Sequence, residues 1–479
     1  SAGNIKLDAG RNLTLSSLQS EALEQKREQW QHKALFVTYE TFDRTRTEQD
    51  SRQHGTQVTA RHNALLSSGN ATLLKASNVE AGDTLRINSG TDLRLDAATE
   101  TRQTRDQGHH RKHLWREDWD TTTRDERNVT SSLKAGKAIE LTSAQKLQML
   151  GAELHTPGDI QLSAREVEIA SVSRNQGNSG KRYSGDLTGG SFFATKGDSE
   201  GDKTLHTGSR VNAGDKLTVR ADDVHISASQ VRGGTQASVI SDRGSLVIDG
   251  VQDTSRDSSH NKDSKFFALI NDETRKSHSE RNIVASDLHS DSNLTLHSGK
   301  DITVSGSRVS AAGLNKVQAQ GDINLIAAQN ASSDSTRTDK RGFTASARET
   351  APGSREYRVD AGLNNQQNTR VTETTLQQGA SLSGGQLAVN SGGDLSIIGS
   401  DLNATQGDVN LKGSNINLLA AHERTDQSGQ ELSTGGGIVW TASLDKVGSG
   451  LEFVRQNNED TSVLSTAKVS KVTATGNVQ

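Results

Sequence analysis

A chain of 479 residues with 55 basic and 59 acidic side chains carries a net charge of −4, so it lacks the basic field that draws nucleic acid. Its 30% hydrophobic and 3% aromatic content cannot fill several spherical cores, and the absence of Cys excludes a disulfide framework and thiolate metal sites. Only two Pro occur, which suits strands that need every N–H, and no apolar run is long enough for a membrane-spanning helix or a leader pattern at Ser1.

From the start, Ile5/Leu7 and Leu13/Leu15 are apolar pairs with a period of two, the signature of very short half-buried strands. The pattern breaks at LQSEALEQKREQWQHKALFVTYETFDRTRTEQDSRQ. Leu18, Leu23 and Trp30 among Glu, Gln and Lys predict a helix in its first half, and Leu35 to Phe42 predicts a strand. Pairs resume with Leu65, Leu73, Leu85/Ile87 and Leu93/Leu95, then with Ile139/Leu141, Leu147/Met149, Ile160/Leu162 and Val167/Ile169. Further blocks hold Leu217/Val219, Val224/Ile226, Leu246/Ile248, Leu294/Leu296, Ile302/Val304 and Ile323/Leu325. Charged excursions near 18–60, 99–130, 172–205, 253–284, 330–372 and 422–460 separate the blocks, recurring every seventy to ninety residues or so. Such long stretches predict β-hairpins leaving at one corner and returning, because unstructured loops of that length are uncommon.

The clearest block is Ser391 to Ala421, where Leu395/Ile397, Leu402/Ala404, Val409/Leu411 and Ile416/Leu418 begin about seven residues apart. Gly399, Gly407 and Gly413 with Asn, Asp and Ser fill the corners between them. Three such strands close a coil of roughly 21 residues, which predicts an all-β, right-handed parallel β-helix of three strands per coil with protruding hairpins. About fourteen to seventeen coils would make a rod roughly 70 Å long, with Leu395, Ile397, Leu402, Val409, Leu411, Ile416 and Leu418 all inside. The pattern is already running at the first residues and still running at the last, so residues 1–479 are expected to form one continuous column excerpted from a larger protein.

Candidate chemistry is sparse. Asp222-Asp223 and the Asp118/Asp120 pair are the carboxylates a carbohydrate-active β-helix enzyme would need, but neither sits beside basic residues that would define a cleft. His109, His110 and His113 lack the fixed carboxylate or Cys spacing of a metal site, and Gly392-Gly393-Asp394-Leu395 is only a fragment of a calcium-binding nonapeptide. No catalytic, metal or cofactor residue is therefore assigned, and no small-molecule substrate is expected. The candidate partner contacts are Phe192, Phe193, Phe266, Phe267 and Trp440, aromatic residues in the spacers of an aromatic-poor chain, which must cover the column, pair with each other or meet a partner.

The blocks SGGDLSIIGSDL, SGKDITVSGSRV, GDINLIAAQN and SLVIDGVQDTS, together with the junction VQDTSRDSSHNKDSKFF, resemble the haemagglutinin repeats of filamentous-haemagglutinin-type exoproteins. The resemblance covers essentially the whole chain. It implies a right-handed β-helical filament, secreted through an outer-membrane transporter and displayed on a Gram-negative cell. It also implies contact with a target-cell surface or outer membrane, as in contact-dependent growth inhibition toxin delivery or in an adhesin. The secretion domain and the VENN tetrapeptide that would separate these subfamilies are absent from the sequence. An adhesin stalk with inert loops and a β-helix enzyme are the competing readings.

Overall fold

The computed structural model describes residues 3–186, 188–443 and 445–479, and every helix or strand among them is a β-strand. Three parallel sheets of eleven strands each run along the molecule, and the chain visits them in rotation. In the first coil Ile5–Ala9 lies in sheet one, Leu13–Ser16 in sheet two and Gln57–Ala60 in sheet three. The fold is a parallel β-helix. Eleven coils fall short of the about fourteen to seventeen expected from the repeat length. The expected count left too little chain for the excursions, whose strands run to as many as 22 residues.

Alternation sets the core. In sheet two Leu93, Leu147, Val167, Val224, Leu246, Ile302, Ile323 and Leu395 lie in register, each directly over the last. All eight side chains are buried, so the column is a stack of aliphatic layers with polar neighbours facing out. In the second coil Leu66 and Leu74, not Leu65 and Leu73, take the inward positions. Leu395, Ile397, Leu402 and Val409 point inward as expected, and Leu411 packs against the core half-buried. Ile416 and Leu418 do not become buried: they lie on the last strand of sheet two and keep 43% and 48% of their surface exposed. Two positions break the aliphatic stacks: Thr72 stands buried between Leu13 and Leu93, and Asn315 stands fully buried between Leu294 and Leu387.

The corner between sheets two and three alternates. In even-numbered coils one residue with positive φ turns it, namely Ala76, Gly151, Ala228, Gly306 or Gly399. In odd-numbered coils a hairpin leaves at the same place, six in all. A hydroxyl closes the root of five of them: Thr56, Ser131, Ser209, Ser286 and Ser470 donate to the carbonyls of Ser16, Asp96, Ala170, Asp249 and Leu419 at 2.6–2.8 Å. Ser209 also accepts from the Ala152 N–H at 3.1 Å, tying its coil to the previous one. Elsewhere the corners need glycine because coils stack closely. A Cβ on Gly82 would lie 1.9 Å from the Arg61 carbonyl oxygen.

The hairpins do not stand apart. They are Leu18–Ala34 with Val37–His54, Ala98–Lys112 with Trp115–Val129, Val172–Asp186 with Phe193–Thr207, Val251–Lys265 with Ile270–Val284, Ala328–Glu349 with Tyr357–Gln378, and Ala421–Ala442 with Val447–Lys468. Each pairs with the next, and together they form one antiparallel sheet of twelve strands, a blade beside the column. The predicted helix at Leu18–Ala34 is therefore a strand, and the predicted strand over Leu35 to Phe42 begins only at Val37, after a turn. Cross-strand pairing over 17 residues overrides the helical propensity of its Glu, Gln and Lys. Blade and column grow in step, since two coils and one two-stranded hairpin each add about 9.6 Å.

Candidate functional site

Near the column, neighbouring hairpins splay before their backbone pairing begins, and a side chain fills each gap. Glu100 accepts from the Gln53 N–H, Glu126 from Asn175, Asp253 from His206, Asn330 from Ile283 and Glu423 from Gln377, at 2.7–3.1 Å. Four of these acceptors are the third residue of an outgoing strand, a regularity present in the sequence that periodicity of apolar residues does not reveal. Farther out, charged side chains line up across strands: Asp120, Lys181, Asp198, His260 and Arg275 form one row over four consecutive pairings, and Arg105 reaches that row diagonally.

That row disposes of one carboxylate pair. Asp120 takes a bidentate contact from Arg105 at 3.0 and 2.7 Å, and Asp118 is held by Arg116. The Arg105 guanidinium keeps the Asp120 carboxyl below the usual carboxylate range. Asp222 and Asp223 sit at a column corner, where Arg243 bonds the first and the Ser245 N–H the second. Asp394 belongs to another corner ladder: its N–H donates to Asp322 at 2.8 Å, and its carboxylate accepts from Asn415 at 2.7 Å. These carboxylates satisfy backbone and partner groups of the repeat.

The histidines separate. His110 reaches Glu40 at 3.0 Å, and His113 packs on the Tyr39 ring at 5.5 Å. No group of three or more His, Cys, Asp or Glu side chains among the described residues is arranged to hold a metal ion. Glu40 is the centre of this region, buried beneath an aromatic cluster in which Trp30 stacks on Phe42 at 5.2 Å and Phe42 meets Trp119 at 5.9 Å. Hydrogen bonds from His32 and His110, with the Lys112 charge, bring its carboxyl down to about 2.

The other aromatics pair across hairpins. Phe192 meets Phe267 at 5.0 Å and Phe193 meets Phe266 at 5.6 Å, joining the far ends of the third and fourth hairpins while all four rings stay substantially exposed. Asp186 anchors one side, accepting from the Phe192 and Phe193 N–H groups and from Thr188, which holds its carboxyl far below the usual range. The Phe266 and Phe267 N–H groups donate to the Phe192 and Ser191 carbonyls. Trp440 lies elsewhere, on the sixth hairpin opposite Val359, and is also exposed. The five candidate contacts thus fall in two places along the far edge of the blade.

A family model described as hemagglutinin repeat matches residues 37–113, 116–264 and 270–414. The breaks at 113–116 and 264–270 fall at the tips of the second and fourth hairpins. Similar curated proteins are a hemolysin of Serratia marcescens, 27% identical over 365 residues, and a hemolysin of Proteus mirabilis, 24% identical over 336. These alignments cover 75% and 70% of the chain but 22% and 21% of the relatives, so the chain spans about a fifth of their length. No solved structure matches. With three segments of the family model covering most of its length, and a column whose hairpin tips coincide with the breaks between them, the chain belongs to the hemagglutinin repeat family of exoproteins.

Proposed function

We propose that this chain is a non-catalytic segment of a secreted filament on a Gram-negative cell, in which the column supplies reach and the blade contacts the surface or outer membrane of a target cell. The observation that carries this reading is the placement of exposed aromatic groups. Phe192, Phe193, Phe266, Phe267 and Trp440 stand at the blade's far edge, away from the core they would otherwise fill. The process served is toxin delivery of the contact-dependent growth inhibition type, with an outer-membrane transporter as the partner during secretion. The relatives' name, hemolysin, supports membrane damage as a second reading, and it too begins with contact at a target membrane.

The test is a chain whose six hairpins are all cut back to their column-proximal third and closed with Asn-Gly turns. Binding to isolated outer membranes should be lost while the β-sheet circular dichroism of the column persists. Undiminished binding would leave only an inert blade, and the reading would fall.

A further inference from the structure

The last two hairpins overhang the rest. The fourth hairpin's returning strand begins at Ile270, and its neighbour is paired to it only as far as Arg341, opposite Asn271. Beyond that level the fifth and sixth hairpins continue as four strands, up to Glu349, Tyr357, Ala442 and Val447.

The register sorts this overhang into two faces, because directly paired residues of antiparallel strands share a face. Successive rows on one face are Phe343–Leu363–Gly436–Phe453, Ala345–Ala361–Ile438–Leu451, Ala347–Val359–Trp440–Ser449 and Glu349–Tyr357–Ala442–Val447. Apart from Glu349 and Ser449 every one of these residues is apolar or glycine. Phe453 is 79% exposed, Leu451 73% and Phe343 58%, so none of the described residues covers them. The opposite face carries the charges, with Arg358 bonded to Asp360 and to Glu452 and Ser346 bonded to Asp360. It carries a groove lined by Arg348, Arg358, Asp360 and Glu452 among others.

We propose that the apolar face of this overhang seats in the hydrocarbon of a lipid bilayer. This rests on the reading of the blade as a membrane-contacting element and names its partner as lipid. Polar rows bound the face on both sides. Arg341, Asn365, Thr434 and Arg455 lie at its base, and Glu349 with the turn residues Arg355, Glu356 and Lys446 at its tip. A second copy of the chain fits less well. Four strands over the length between these rows offer roughly 500 Å², so a symmetric dimer would bury about 1,000 Å², below the ordinary range for a stable interface. The outer strands of the overhang have unpaired edges, which hydrocarbon does not tolerate at depth. The sheet therefore lies along the interface, with the charged groove and its edges toward water.

The experiment uses the full chain with phosphatidylcholine vesicles, which remove charge attraction as a cause of binding. The chain should float with the vesicles, and Leu451→Asp with Phe453→Asp should lower bound protein at least tenfold without loss of fold, since both side chains are exposed. In a chain with Trp30, Trp115 and Trp119 replaced by Phe, brominated acyl chains should quench Trp440. Absence of flotation, an unaffected Asp double variant, or a dimer in sedimentation that the Asp substitutions dissociate would each overturn the inference. If the Asp variant still binds outer membranes and only the cut-back chain does not, the contact role stands and the lipid assignment falls.

Discussion

Single residues test the column most directly. Asn315 is fully buried among aliphatic layers; its side-chain N–H donates to the Ser383 carbonyl at 2.9 Å, while its Oδ1 has no partner. An orphaned buried acceptor costs more than one hydrogen bond returns, so Asn315→Leu should raise stability by about 1 kcal/mol in denaturant melts. A loss would mean that the carboxamide is needed where Gly384 leaves the layer thin. Ile397→Asp should cost several kcal/mol by burying an unpaired carboxylate. The period-two pairs made these inward positions legible in the sequence. Ile416 and Leu418 pair in register with Leu395 and Ile397 and so keep the inward face that the pattern assigns them, although no further described strand stacks on theirs. Titration adds a further expectation. Glu40 is held well below its ordinary value of 4.5, so its contribution is present above that pH and is lost as pH falls toward 2. Trp30 fluorescence should change over that interval, and Glu40→Gln should abolish the change.

At the scale of elements, the hairpin root is the feature that turns an excursion into a regular part of the repeat. Ser209 satisfies the Ala152 N–H and bonds the Ala170 carbonyl, which keeps a second donor in the Gly151 N–H. Ser209→Ala should therefore orphan one buried N–H and lower stability by about 1–2 kcal/mol, measured by thermal and denaturant melting. Hairpins were legible as excursions because Asp96-Ala97-Ala98 and its counterparts interrupt the apolar pairs. Their assembly into one blade was not legible. Pairs such as Arg102 with Asp50 or Asp202 with Arg256 are polar on both faces, so no alternation announces that one hairpin will pair with the next. The overhang is the exception. Tyr357, Val359, Ala361 and Leu363 alternate with Arg358, Asp360 and Gly362, a two-faced strand written in the sequence and overlooked beside the conspicuous Trp440.

Across the whole molecule, the blade changes how a solenoid holds together. In a column alone each coil touches only its neighbours, and unfolding can begin at any weak interface. Here every hairpin also pairs with hairpins leaving two coils away, so odd-numbered coils are coupled past the coil between them. The coupling is extensive. The third and fourth hairpins share twelve paired positions, from Phe193 with Lys265 to Thr204 with Thr254. Removing residues 175–204 and 254–281, with a tight turn at each cut, eliminates all twelve pairings and should therefore do more than take away the Phe192–Phe267 and Phe193–Phe266 contacts. The column would keep its registered layers and its root serines, so it should remain folded. Its halves on either side of the cut would be joined only through nearest-neighbour coils. Denaturant unfolding should then split into two transitions or broaden, with a lower apparent slope, while the intact chain unfolds more cooperatively. A single transition of unchanged slope would show that the column alone sets cooperativity and that the blade is mechanically a passenger.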